Sequence, residues 1–238
     1  MLKAVLFDLD GTLLPMNEEE FIPLYLDLLA TRMESKGYNK EKFISALWSG
    51  TKKMYLNNGT KTNGEIFWDE FSSHFGKDSL KDKEYIDEFY TNEFLKTKEA
   101  CKENKYAKEI VKFVKNSNLL CILSTNPIFP KIATKTRMGF VGLIENDFDY
   151  YSYYENSHYT KPNPYYFLEI LDKFNLKSDE VILFGNNTFE DGECALKCGI
   201  KTYIVDGFVI YHDKSFHSFP VIKMEDVTKI IKNHLNNL

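Results

Sequence analysis

The sequence lacks any apolar run near the roughly 20 residues that a helix needs to span a bilayer. Its apolar start, residues 2–7, ends at Asp8 without the small-residue cleavage site of a secretory signal. No two cysteines form a CxxC pair and no histidine stands at metal-ligand spacing, so neither a disulfide framework nor a zinc site is expected. We therefore expect a cytoplasmic protein with no membrane partner.

The sequence also lacks an excess of positive charge. The 238 residues include 30 lysines and arginines against 35 aspartates and glutamates, a net charge of −5 at pH 7. A polyphosphate backbone would be repelled at long range, so we do not expect a nucleic-acid partner. The chain is 43% hydrophobic and 15% aromatic, which is typical of a folded protein with one large domain or two modest ones.

The hydrophobic pattern changes twice along the chain. Residues 2–7 form a continuous apolar run, which predicts a strand buried on both faces of a parallel sheet. From about residue 18 to 95, apolar residues recur every three or four positions, which predicts about four helices. The chain then alternates helices near 106–115, 128–137, 164–174 and 191–197 with strands near 119–124, 148–154, 181–185 and 202–206, and ends in a helix from Glu225.

Strands that alternate with helices predict an α/β fold with a doubly wound parallel sheet. The helical block separates the first strand from its partners, so we interpret it as an insertion. The predicted domains are a core of residues 1–16 and 97–238 and a helical domain of residues 17–96. No internal repeat or low-complexity tract is present.

The first candidate site directly follows the first strand. Asp8 and Asp10 are two residues apart, so strand alternation places both carboxylates on one side, and Gly11 and Thr12 follow. Such a pair is costly to hold without a cation or a reaction. A strand-ending Asx turn is the plainer alternative. In an open α/β sheet, however, ligands bind just outside the carboxyl ends of the strands.

Three more polar groups follow or precede predicted elements. Thr125 and Asn126 come after a strand and before a helix, where an anion could bind, although an ordinary N-cap has the same pattern. Lys161 lies in a proline-stiffened turn and could simply be solvated. Asn187 and Asp191 follow the strand near 181–185, and Asp191 alone could be a helix cap.

In this order, the four groups resemble the motifs of the haloacid dehalogenase-like (HAD) hydrolase superfamily. The DxDGT motif is complete from Asp8 to Thr12, Thr125 and Asn126 resemble the second motif, and Lys161 resembles the third. The segment GNNTFEDGECALKCG at 185–199 resembles the fourth. The resemblance extends from Met1 to about Val205, and the helical block occupies the position of that superfamily's cap domain.

The resemblance implies a role for each group. Asp8 would attack phosphorus and form an aspartyl-phosphate, and Asp10 would act as general acid and then general base. Thr125 and Lys161 would hold phosphoryl oxygens, with Gly11, Thr12 and Asn126 completing the phosphate site. Mg²⁺ would be the cofactor, bound through Asp8, Asp10 and the fourth motif. Members that act as dehalogenases lack the second aspartate, so Asp10 favours phosphoryl chemistry.

The fourth motif departs from the pattern of its relatives. They commonly carry an aspartate four residues before a second aspartate, and counting back from Asp191 reaches Asn187. An amide oxygen can bind Mg²⁺ but carries no charge. Either Asn187 is a weaker ligand, or the register differs and Asp191 binds the metal directly.

The resulting hypothesis is a Mg²⁺-dependent phosphatase that hydrolyses a small phosphorylated metabolite. A phosphomutase would use the same motifs and return the phosphoryl group to its substrate. A third possibility is a catalytically weakened member that binds a ligand or partner, motivated by Asn187. The sequence carries no signal for the oligomeric state or for which metabolite is bound.

Overall fold

The structure is a computed structural model that describes residues 1–212 and 219–236. In this part of the chain, six strands form one sheet: β1 (Ala4–Phe7), β2 (Leu120–Leu123), β3 (Tyr150–Tyr151), β4 (Val181–Gly185), β5 (Lys201–Val205) and β6 (Val221–Ile222). Their order is β3-β2-β1-β4-β5-β6, and every neighbouring pair is parallel. The α/β fold with a parallel sheet is confirmed.

Nine α-helices accompany the sheet in the described ranges. They are α1 (Glu18–Glu34), α2 (Lys40–Tyr55), α3 (Asn63–Phe75), α4 (Lys83–Phe89), α5 (Ala107–Asn116), α6 (Lys131–Phe140), α7 (Tyr165–Lys173), α8 (Cys194–Lys197) and α9 (Val227–Asn236). None of the helices described is long and apolar enough to cross a membrane.

The sheet is buried on both faces, as the continuous apolar strands predict. Val5 and Phe7 of β1 belong to one hydrophobic cluster, whereas Ala4 and Leu6 belong to another on the opposite face. Helices therefore cover both sides, which is the doubly wound arrangement.

The order of strands also determines where a ligand can bind. From β1 the chain builds outward to β2 and β3 on one side and to β4, β5 and β6 on the other. The topological switch point thus lies between β1 and β4, where open α/β sheets form their ligand crevice. Phe7 is in register with Leu123 and with Phe184, so the residues that follow β1, β2 and β4 emerge at one edge.

The segment between β1 and β2 begins with helices, as predicted. Asn17 caps α1 by accepting a hydrogen bond from the backbone N–H of Glu19, and the last helical turns before the core are 3₁₀, from Glu93 to Ala100. The two connections run side by side, because the N–H of Lys102 donates to the carbonyl of Pro15 at 2.7 Å. The division into domains at residues 17 and 96 stays a prediction.

Two local features differ from the sequence-based expectation. The predicted helix near 191–197 begins as a π-helix, Thr188–Glu193, before it becomes α8. The short strand β6 at the sheet edge was not predicted, because two residues carry no periodicity that a sequence pattern can detect.

Candidate active site

A buried lysine lies between two carboxylates at the carboxyl edge of the sheet. Lys161 comes from the loop before α7, Asp8 follows β1 and Asp191 belongs to the π-helix after β4. The Lys161 Nζ donates to Asp8 Oδ1 at 2.9 Å and to Asp191 Oδ1 at 2.5 Å. Lys161 is only 1% exposed. The first, third and fourth motifs therefore meet at one point.

In this group, burial and the neighbouring charges shift the pKa values in opposite directions. Burial alone would lower the pKa of Lys161, but Asp191 and Asp8 raise it well above the usual lysine range, so the lysine stays charged. Burial raises the pKa of the Asp8 carboxyl, and Lys161 opposes that rise. The ion pair is what allows a carboxylate to persist at this depth.

The second carboxylate oxygen of Asp8 is held much less tightly. In the described part of the chain, Asp8 Oδ2 accepts one long hydrogen bond, from the Thr12 hydroxyl at 3.5 Å. The same hydroxyl donates to Asn186 Oδ1 at 3.3 Å. Asp8 is thus oriented through one oxygen and free to react or bind through the other.

Gly11 makes the turn that brings these groups together. It has a φ of +79°, and a Cβ at this position would meet the Asn186 side chain at 2.0 Å. Its N–H donates to the carbonyl of Leu14. Gly11 and Thr12 are absent from the cavity wall described below, so the structure gives them a shaping role, and their predicted contact with phosphate stays a prediction.

Asp10 forms an ion pair that the sequence analysis missed. Its Oδ2 accepts a hydrogen bond from Nη1 of Arg137 on α6, and Arg137 is only 1% exposed. The Arg137 guanidinium also lies 4.3 Å from the centre of the Phe129 ring. Burial raises the pKa of Asp10, and Arg137 opposes that rise.

Composition contains a signal that could have pointed to this residue. Of the 30 basic residues of the chain, only Arg32 and Arg137 are arginines. Arg32 also forms a pair of hydrogen bonds, with both Glu93 carboxylate oxygens. Arginine is the better cation for buried ion pairs, because its charge is delocalised and weakly hydrated. In a chain that uses lysine almost everywhere, an arginine is a candidate for such a position.

Asn126 lies beside the lysine, and Thr125 precedes it in the chain; their predicted contact with phosphate stays a prediction. The Asn126 Oδ1 accepts from the N–H of Lys161 at 3.2 Å, and its Nδ2 donates to Glu190 Oε2 at 3.0 Å. Thr125 is buried and its carbonyl accepts from the Tyr166 hydroxyl at 2.9 Å. Asn126 thus links the backbone of the third motif to the fourth.

The fourth motif uses its polar atoms differently from the expectation. Asn187 Oδ1 accepts from the N–H groups of Phe189 and Glu190 and so caps the π-helix. Asp191 Oδ2 accepts from the N–H groups of Asn186 and Asn187 at 3.0 and 3.1 Å. Both predicted metal ligands have these bonds within the protein, and their role as ligands stays a prediction. Asn186, which was not predicted, contacts the Asp8–Thr12 turn, because its Oδ1 accepts the hydrogen bond from the Thr12 hydroxyl.

These groups border a cavity of about 180 Å³. Its wall includes five acidic side chains and one arginine: Asp8, Asp10, Glu18, Glu190, Asp191 and Arg137. Burial raises the pKa of Glu190 to about 7, and burial together with Asp10 raises that of Glu18 to about 7. The acidic wall would repel an anion unless a cation enters with it.

Glu18 provides a test of this electrostatic picture. Its raised pKa means that the folded state holds the proton more tightly than the unfolded state, so stability falls as pH rises from about 4.5 to 7. Glu18→Gln removes that loss. We expect the variant to exceed the parent in free energy of unfolding by about 1 to 3 kcal/mol at pH 8, and by much less at pH 5.

The measurement is urea unfolding with chelator present at both pH values. Glu19→Gln is the matched control, because Glu19 also lies in the first turn of α1 but is exposed. An equal gain for both variants at pH 8 would contradict the view that the half-buried Glu18 carboxylate destabilises the folded state.

Cation ligands in this site would be oxygens. In the described residues, no group of three or more His, Cys, Asp and Glu side chains is placed to hold a metal. Asp10 Oδ1 is nevertheless buried without a hydrogen-bond partner among these residues, and Asp8 Oδ2 lies on the same turn with one long contact. Mg²⁺ suits such a site, because it is often held by one or two carboxylates, substrate oxygens and water.

Comparison with known proteins identifies the family. The sequence profile of the haloacid dehalogenase-like hydrolases matches residues 5–205. The chain belongs to this family. No curated protein sequence matches it. The motif resemblance from Asp8 to the 185–199 segment is therefore confirmed at the level of the family, and the chain is a hydrolase of the HAD type.

Solved structures support the same fold at low sequence identity. A HAD phosphatase from Thermococcus onnurineus is 19% identical with a TM-score of 0.60, covering 97% of this chain and 98% of that one. A 2-haloacid dehalogenase from Pseudomonas syringae pv. Tomato is 17% identical with a TM-score of 0.63, covering 98% and 99%. A candidate beta-phosphoglucomutase from Thermotoga maritima is 21% identical with a TM-score of 0.55, covering 98% and 99%.

Proposed function

We propose that this hydrolase is a Mg²⁺-dependent phosphatase that cleaves a small phosphorylated metabolite through an aspartyl-phosphate on Asp8. The observation that carries the proposal is the buried Lys161 bonded to Asp8 at 2.9 Å, with Asp10 two residues further along the same turn. A charged lysine beside a carboxylate allows a phosphate anion to approach a nucleophile of the same sign.

Asp8 acts first. Lys161 holds Oδ1 while Oδ2 attacks phosphorus, which forms an O–P bond as the bond to the leaving oxygen breaks. Thr125 borders the same cavity and donates its hydroxyl to a phosphoryl oxygen. In the second half-reaction a water oxygen bonds to phosphorus as the Asp8 O–P bond breaks, which releases inorganic phosphate and returns Asp8 as a free carboxylate.

Asp10 moves the protons. Its raised pKa suits a general acid, which gives a proton to the leaving oxygen and then takes one from water. Arg137 holds Oδ2 of Asp10, so the unpartnered Oδ1 is the oxygen that exchanges protons. Arg137 is therefore a positioning residue that keeps Asp10 aimed at the cavity.

Mg²⁺ would be held by the Asp8 carboxylate and the Asp10 backbone carbonyl, with Asn186 Oδ1 as a further oxygen beside Thr12. When bound, it neutralises the negative charge of the phosphoryl group and of the acidic wall. Asp191 contributes by holding Lys161 in place.

The test is phosphate release from acetyl phosphate and p-nitrophenyl phosphate. We expect activity with Mg²⁺ and a fall of about 100-fold or more when a chelator removes it, restored by added Mg²⁺. A Ca²⁺ addition is the control, since Ca²⁺ takes more ligands at longer distances and fits a compact site poorly. Hydrolysis that is indifferent to the chelator would overturn the metal requirement.

The two alternatives give different results in the same assay. A phosphomutase would convert a sugar phosphate into its isomer with little free phosphate. A weakened member, which Asn187 and the uncharged Asn186 favour, would bind a phosphonate analogue in calorimetry but release no phosphate from any ester.

A further inference from the structure

A second cavity, of about 90 Å³, adjoins the acidic one. It lies between helices α1, α2 and α3 and the loop before α6, and its wall is mainly apolar and aromatic. Leu29, Leu47, Phe71 and Ile86 are among its buried residues. Nothing in the mechanism above uses this space.

The two cavities share part of their walls. Ile22, Trp48, Thr51, Ile128 and Phe129 border both. The two cavities are therefore adjacent. A substrate with its phosphate against Asp8 would reach the apolar cavity with its leaving group.

Two pairs of aromatic polar groups on the apolar wall are already bonded within the protein. The hydroxyls of Tyr25 and Tyr90 are bonded to each other at 3.2 Å, and the indole nitrogen of Trp68 donates to the Tyr154 hydroxyl at 3.0 Å. A hydroxyl-rich leaving group would lose its hydration here and gain little in return. An apolar group loses no hydrogen bonds on entering.

The volume of the cavity sets an upper limit on the size of the leaving group. A cavity of about 150 Å³ lined by apolar side chains holds one benzene molecule, and this cavity is smaller. A short alkyl chain fits, whereas fused rings or a nucleobase do not.

We propose that the substrate is a phosphate monoester of a short-chain alkyl alcohol, with its apolar end in this second cavity. The inference rests on the proposed phosphatase function and names its substrate class. It predicts that apolar length, and not hydroxyl content, determines the rate at which esters are hydrolysed.

The experiment measures kcat/KM for methyl, ethyl, propyl and butyl phosphate with Mg²⁺. Each added methylene should raise kcat/KM about fourfold until the cavity is full, because burying one CH₂ is worth that factor. Butyl phosphate should exceed 3-hydroxypropyl phosphate, which has the same number of heavy atoms, by about 10-fold to 100-fold. A flat series, or a preference for the hydroxylated ester, would overturn the inference.

Filling the cavity gives a second readout. Leu47→Phe adds bulk to the apolar wall, so the ratio of kcat/KM for butyl over methyl phosphate should fall about tenfold. Leu168→Phe is the matched control, because Leu168 lies on α7 and is 42% exposed, and its ratio should equal that of the parent. Thermal unfolding of both variants verifies that they fold. An unchanged ratio in folded Leu47→Phe would contradict the assignment.

Binding measurements distinguish a failure of this inference from a failure of the proposed function. Calorimetry with methyl- to butylphosphonate needs no turnover, and Kd should fall about fourfold per methylene. If the phosphonates follow that slope while no ester is hydrolysed, the phosphatase function fails and the alkyl site stands. If esters are hydrolysed and neither series depends on length, the function stands and the alkyl site fails.

Discussion

Replacing Asp8 with asparagine is expected to lower kcat for phosphate release by a factor of about 10⁴ or more, equivalent to about 5 kcal/mol of barrier. The amide has nearly the same shape, and Lys161 keeps its 2.5 Å bond to Asp191. What is lost is the anionic oxygen that attacks phosphorus. The activity should be measured with acetyl phosphate and Mg²⁺, alongside denaturing capture of enzyme labelled by acetyl [³²P]phosphate, where the parent retains label and the variant does not.

Stability distinguishes a lost nucleophile from a damaged fold. Burial raises the pKa of Asp8, so its ionised form is a cost to the folded state, and the Asp8→Asn protein should be at least as stable as the parent at pH 7. Asp172→Asn on the exposed side of α7 serves as the control and should retain full activity. Residual Asp8→Asn activity within tenfold of the parent would show that another group attacks phosphorus.

The parts of the fold that follow from local pattern were predictable from sequence. The apolar run that contains β1 can be buried only between two layers, and all four of its residues are buried. Because parallel strands end at the same edge, the polar residues after β1 and β4 had to come close together. The Thr12 hydroxyl after β1 donates to Asn186 Oδ1 after β4 at 3.3 Å, and the loop before α7 brings Lys161 to Asp8 at the same edge.

Arg137 could not be placed by the same reasoning. It lies in the last turn of α6, 127 positions from Asp10, and helical periodicity does not indicate which side chain of that helix reaches the site. The cost of burying its charge is offset by the ion pair with Asp10, which forms only when α6 and the turn after β1 are both in place.

The side-chain positions of the fourth motif could not be predicted for a different reason. A π-helix has a wider turn than an α-helix, so Thr188–Glu193 changes which side chains face the sheet. Counting back four residues from Asp191 follows the motif spacing of the relatives and led to Asn187, whose side chain caps the π-helix. Glu190, which borders the cavity, belongs to this π-helix, and no residue pattern in the sequence indicates such a backbone irregularity.

Lys161→Met is expected to lower the free energy of unfolding by about 3 to 5 kcal/mol at pH 8, the second large effect that we predict. The thioether has a similar length but no charge, so Asp8 and Asp191 would remain buried beside each other without a cation. The folded pKa of Lys161 is raised, so its contribution is fully present below the ordinary lysine pKa of about 10.4 and is lost only as pH rises through the folded value. Urea unfolding at pH 8 therefore measures all of it.

The loss should shrink as pH falls. Burial raises the pKa of Asp8 and Lys161 opposes that rise, so without the lysine the folded variant takes up a proton at Asp8 that the unfolded chain does not hold. The difference between parent and variant should thus be smaller at pH 5 than at pH 8. Lys197→Met on α8, an exposed lysine, is the control and should stay within about 0.5 kcal/mol of the parent at both pH values.

A double variant separates the missing cation from the missing packing. In Lys161→Met with Asp191→Asn, one of the two buried charges is removed, while the amide oxygen can still accept from the N–H groups of Asn186 and Asn187. If unpaired charge causes the loss, the double variant recovers part of it at pH 8 and little at pH 5, because Asp8 is then closer to neutral. If the two substitutions simply add at both pH values, Lys161 stabilises the fold by filling space and the charged triad contributes nothing.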